Sequence, residues 1–161
     1  MMKRSGKDKR PKLPEYLKSI NLVGDWALTF NKLAVFLLYN AVFNRTLLFC
    51  SPDGLKCLAA STCWHADGTF YTASKYFYQL YVIKVWYKFR MIPCAWVLMN
   101  RRRKEDYVKV LKELNKAALA IGLQLMPKTI MLDFELAAIN AFEFVWPTIK
   151  ARGCMFHFGQ N

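Results

Sequence analysis

Between residues 61 and 98 the chain carries three runs rich in β-branched and aromatic residues, at 61–70, 77–87 and 92–98, separated only by short polar or basic stretches. Connections this short favour antiparallel neighbours, so the three runs are expected to form a meander. Within the second run the apolar residues fill both alternating sets: Tyr78, Leu80, Val82 and Trp86 on one, Tyr81, Ile83, Val85 and Tyr87 on the other. A strand apolar on both sides predicts a sheet covered on both faces.

The pattern then changes period. Over 103–121, Tyr107, Leu111, Leu114, Ala118 and Ile121 recur at the spacing of one helical face, and Gly122 is placed to end the helix. A short apolar run at 129–133 follows Pro127, a second helix is expected over 135–145 with Pro147 closing it, and 149–158 reads as a fifth strand. Three strands, helix, strand, helix, strand is the order of an RNase H-like α/β fold. The expectation is a mixed five-stranded sheet flanked by helices, incomplete at the C-terminus.

Ahead of this core, residues 1–18 hold seven Lys or Arg together with Pro11, Pro14 and Gly6, the composition of a solvated basic arm or of an arm that touches nucleic acid. Residues 20–43 carry an apolar helical pattern with Gly24 and Asn40 as boundaries. A short strand is expected at 46–50, a turn at Ser51-Pro52-Asp53-Gly54 and a helical piece over 55–60. The division is therefore a basic arm (1–18), a helical and strand lead-in (19–60) and an RNase H-like core (61–161).

Lys and Arg outnumber Asp and Glu by 24 to 11, a formal charge of +13 spread along the whole chain. Polyanions are the natural partners of such a surface: nucleic acid, or anionic lipid. The most apolar early stretch, 26–39, is broken by Asn31 and Lys32 and falls short of the roughly 20 residues of a membrane span. No secretory signal is visible. The five cysteines are scattered, with no CxxC pair, which points away from a disulfide framework and toward a reducing compartment, cytosol or nucleus.

Two acidic residues fall in strand runs, where carboxylates are uncommon: Asp67, within Trp64-His65-Ala66-Asp67-Gly68-Thr69-Phe70, and Asp133. On neighbouring strands they would share one divalent cation, Mg²⁺ or Mn²⁺, whose hardness calls for oxygen ligands. Such carboxylates serve phosphodiester chemistry. Each has a plainer alternative: Asp67-Gly68 as a type I′ hairpin dipeptide, and Asp133 as the N-cap of the helix after it.

The run 64–70 with Phe77-Tyr78-Gln79-Leu80-Tyr81, then Ile130-Met131-Leu132-Asp133-Phe134-Glu135 with Ala138-Ile139-Asn140-Ala141, and finally 153–160, resembles the transposase domain of Mutator-like elements from about residue 36 onward. The resemblance implies a DDE-type site that cleaves DNA at element ends and joins them to a target in the nucleus. Asp67 and Asp133 match the first two acidic positions, as catalytic and metal-binding residues. Cys154 and His157 match a Cys-x-x-His element expected near the site; read without the family, they are half of a zinc site or ordinary strand residues. The family's third acidic residue, a Glu, has no counterpart before Asn161. Glu143 fits a solvated helix face better, so impaired turnover is expected.

Two basic groups remain. Arg101, Arg102, Arg103 and Lys104 sit where a helix dipole disfavours cations, which suits either a DNA phosphate contact or a solvated loop. Residues 84–90 interleave Lys and Arg with aromatics, as single-strand binders do; a hairpin packed under helices explains the aromatics equally well. The sequence therefore supports a DNA transposase-derived protein acting on transposon ends and target DNA, with self-association open. The rivals are a non-catalytic DNA-binding or regulatory scaffold and a basic protein at an anionic membrane surface.

Overall fold

The computed structural model describes Tyr16, Ile20 and residues 22–41, 45–70, 73 and 75–153. Seven strands form one mixed sheet: β1 (Leu37–Ala41), β2 (Thr46–Cys50), β3 (Cys63–Thr69), β4 (Gln79–Tyr87), β5 (Arg90–Met99), β6 (Thr129–Leu132) and β7 (Lys150–Gly153). Their lateral order is β1-β2-β5-β4-β3-β6-β7. The meander β3-β4-β5 is antiparallel, as expected. Strand β6 returns parallel to β3, and β7 parallel to β6. Each return is made through a helix, α2 (Lys104–Ala120) and then α3 (Leu136–Val145).

The expected five strands are thus present, the fifth over 150–153 with 154–158 outside the described residues, and two more extend the sheet beyond β5. Strand β2 was anticipated but not assigned to the sheet; it pairs antiparallel with β5, and β1 pairs with β2. The helices expected over 20–43 are replaced by one 3₁₀ turn (Gly24–Ala27), a Leu28–Val35 bridge and β1. Gly24 and Lys32 both adopt positive φ there, which a continuous helix excludes. Residues 37–41 pair with the edge of β2 instead, a non-local partner that outweighs their helical spacing.

Helix α1 (Pro52–Ala60) begins earlier than the turn reading of 51–54 allowed. Ser51 is its N-cap, with its hydroxyl oxygen accepting from the Gly54 N–H at 3.0 Å, and Pro52 fills the first turn where its missing N–H costs nothing. The helix sits on a β-bulge: Ile83 pairs with Ala95 and Lys84 with Pro93, leaving Cys94 as the extra residue. A Cβ on Gly54 would lie 2.6 Å from the Cys94 carbonyl oxygen, so only glycine permits this approach.

One face of the sheet carries Leu48, Trp64, Ala66, Tyr81, Ile83, Val85, Ala95, Val97, Ile130 and Leu132, and these join α1, α2 and α3 in a single core. Trp64 is fully buried, donating from Nε1 to the Leu58 and Ser61 carbonyls at 3.1 Å. The expectation of helices on both faces is corrected: among the described residues all three helices pack on this one side. On the other, Phe36 covers Phe49 and Trp96, with ring centroids 5.4 and 5.7 Å away, and the remaining apolar residues are mostly half-buried. Cys50, Cys57, Cys63 and Cys94 are free thiols, and burial pushes the Cys94 thiol up to about 12.

Candidate functional site

Asp67 lies inside β3, paired with Val82, and Gly68 is paired with Tyr81. The hairpin alternative for Asp67-Gly68 is therefore excluded, since the chain continues as strand through Thr69. On its other side β3 meets β6 in parallel register: Cys63 with Thr129, Trp64 with Ile130, His65 with Met131. Two further steps bring Asp67 level with Asp133, the residue that follows β6. Paired residues of neighbouring strands point to the same face, about 4.8 Å apart, so this register, continued past its last pair, runs toward Asp67 and Asp133 at the same end of the sheet.

Asp133, Phe134 and Glu135 connect β6 to α3. The N-cap position belongs to Glu135, not Asp133, and the Glu135 side chain makes no cap hydrogen bond. It turns to α2 instead, accepting from the Tyr107 hydroxyl at 2.8 Å, and Tyr107 in turn accepts from Gln79 Nε2 at 2.5 Å. Arg102 Nη1 stands 3.8 Å from Glu135 Oε2. With its side chain 13% exposed, Glu135 has its pKa raised chiefly by burial and further by the charge of Asp133; Tyr107 and Arg102 oppose the shift.

Tyr81 is buried beneath this edge, its ring edge-on to Tyr107 with centroids 5.0 Å apart. Burial raises its pKa well above the usual tyrosine value, and the negative charges of Asp133, Glu135 and Asp67 raise it further. All three carboxylates thus act on one hydroxyl. On the Asp67 side, Lys84 Nζ lies 3.6 Å from Asp67 Oδ2, with both side chains about one third exposed. His65, directly across from Lys84, has its pKa lowered by burial and then by that ammonium.

All four residues of the basic cluster, Arg101, Arg102, Arg103 and Lys104, are exposed, and Arg102 lies over the Phe70 and Tyr78 rings at 5.2 and 5.1 Å from their centroids. The charge conflict at the start of α2 is offset locally by Glu105 and Asp106 in the first turn. Glu143 is exposed on α3, away from the carboxylates. Cys154 and His157 lie outside the described residues. Among the described residues no three His, Cys, Asp or Glu side chains converge as a ready metal cage.

The polar chain Gln79-Tyr107-Glu135 escaped sequence reasoning. Its members are 28 residues apart at each step, and Tyr107 fitted the apolar stripe of its helix, so no local pattern marks them. Glu135 alone stood in plain view, two residues from Asp133.

Residues 63–161 match the family model described as MULE transposase domain. The matched stretch covers more than half of the 161 residues and contains both aspartates. The chain belongs to the MULE transposase domain family. No curated protein and no solved structure matches it.

Proposed function

We propose that the protein is a transposase-derived nuclease fold of the DDE type, in which Asp67 and Asp133 hold a divalent cation for cleavage and transfer of DNA strands. The observation that supports this reading is the parallel β3–β6 register, which runs toward Asp67 on one strand and Asp133 on the other. The strand order β5-β4-β3-β6-β7, with the last two parallel to β3, is the RNase H-like order and supports it.

The residues fit Mg²⁺ or Mn²⁺. Such ions are commonly held by one or two carboxylates, with water and substrate phosphate completing the shell. The Tyr81 hydroxyl, buried and without a hydrogen-bond partner among the described residues, is suited to a water at this edge. When bound, the cation supplies charge stabilisation and a deprotonated attacking oxygen. Asp67 and Asp133 would orient it, Lys84 pairs with Asp67, and Arg102 with Tyr107 engages Glu135 on the α2 side. Two converging carboxylates give weaker binding and slower turnover than three. DNA, both element ends and target, is the partner, and the nucleus is the compartment where the protein meets it.

A second reading, a DNA-binding scaffold without catalysis, is favoured by the engagement of Glu135 with α2, which leaves the edge short of a three-carboxylate set. Mn²⁺ separates the two. In the catalytic reading, paramagnetic broadening centres on residues around Asp67 and Asp133, and Mn²⁺-dependent nicking of element-end DNA disappears in Asp67→Ala. Broadening unchanged by Asp67→Ala and Asp133→Ala together rules out the shared site; broadening without nicking selects the scaffold.

A further inference from the structure

We propose that the tip of the β4–β5 hairpin is a second nucleic-acid contact, a stacking surface for unpaired bases at the end of the sheet opposite the carboxylates. It rests on the reading that the chain handles DNA, and it adds a site and a substrate form to it. Asp67 pairs with Val82, and the tip at Lys88 lies six residues further along β4, about 20 Å away.

Packing does not explain the aromatics there. Phe89 is 93% exposed, Trp86 58% and Tyr87 46%, so the rings of this hairpin stand in water instead of under a helix. Lys88 and Arg90 flank Phe89, and no Asp or Glu occurs between residues 79 and 99. Lys88 Nζ stands 5.3 Å from the Tyr87 ring centroid, so ring and cation present one joint surface.

The turn itself is chosen against backbone preference. Tyr87 pairs with Arg90, and the two residues between them, Lys88 and Phe89, both have positive φ, at 45° and 65°. A two-residue turn with both φ positive is the type I′ hairpin turn, which Asn-Gly adopts readily and a lysine followed by a phenylalanine does not. Strained backbone that buries nothing is characteristic of contact sites.

Single strands suit this surface better than duplex. Aromatic side chains stack on base faces, which are open only where bases are unpaired, and the interleaved cations follow the phosphates. Duplex DNA offers the cations its phosphates but gives the rings nothing to stack on. An anionic membrane fits less well, because an ammonium occupies the apex beside Phe89, where insertion into hydrocarbon would require an apolar group.

Fluorescence anisotropy of the full chain in EDTA, with labelled oligothymidylate and a labelled duplex, tests the proposal. Trp86→Ala and Phe89→Ala are each expected to weaken oligothymidylate binding about tenfold, with Phe89→Trp restoring it, while duplex binding moves by less than about twofold. Equal oligothymidylate affinity in the parent and both alanine variants, each shown to be folded by its melting curve, overturns the proposal. Loss of binding to phosphatidylserine vesicles without loss of oligothymidylate binding overturns it in favour of a membrane. Failure of the parent to bind either DNA removes the DNA reading as well. Hairpin-dependent binding in a protein that takes up no Mn²⁺ at Asp67 retains the hairpin and removes only the carboxylate site.

Discussion

The two ends of strand β4 are built on opposite principles. At its start, Gln79 is fully buried and its amide nitrogen donates to Tyr107, whose hydroxyl donates to Glu135, so a chain of hydrogen bonds ties the strand to α2 and to the residue before α3. At its finish, Trp86 and Tyr87 lead into a strained turn whose side chains reach solvent. The first end is rigid because breaking any link strands a buried polar group, which is costly. The second is held by ladder pairing, and its side chains lie largely in water. One strand therefore joins two kinds of surface: a fixed, hydrogen-bonded end and an open tip.

The contrast can be pressed at several points. Tyr107→Ala removes a fully buried ring along with both hydrogen bonds and is expected to cost about 3–5 kcal/mol, read from urea unfolding. Tyr107→Phe keeps the ring and strands the Gln79 amide and the Glu135 carboxylate, for a loss of about 1–3 kcal/mol. At the tip the sign reverses: the double change Lys88→Asn with Phe89→Gly relieves the two positive-φ residues and should stabilise by about 1–2 kcal/mol. Phe89→Ala should leave stability within about 0.5 kcal/mol, since a ring in water contributes little to folding. A Tyr107→Phe variant as stable as the parent, or a Phe89→Ala variant that melts early, would erase the distinction.

Much of this architecture was legible before any coordinates. The meander, the helix over 104–120 and the β6–α3–β7 return followed from periods of two and 3.6 with Gly122 and Pro147 as stops. The N-terminal stretch was not, because apolar residues in 20–43 happened to fit a helical spacing while the partner that made 37–41 a strand, β2, supplied its edge only in three dimensions. Asp67 and Asp133 were found because carboxylates are conspicuous in apolar strands. Whether they met depended on register, which a single sequence does not encode locally. The covering of both faces was inferred from apolar residues on both sides of β4. Val82 is indeed buried, yet Trp86 is open, and nothing in the local pattern tells the two apart.

Strand β7 has one further effect on the molecule. Among the described residues it is the last strand in line, and Lys150 and Arg152 stand in it. A border with free backbone amides invites another chain to add itself as a further strand, and a short border bearing like charges repels the same segment of a second copy. Lys150 and Arg152 thereby work against strand-by-strand pairing of two copies at this stretch of the sheet.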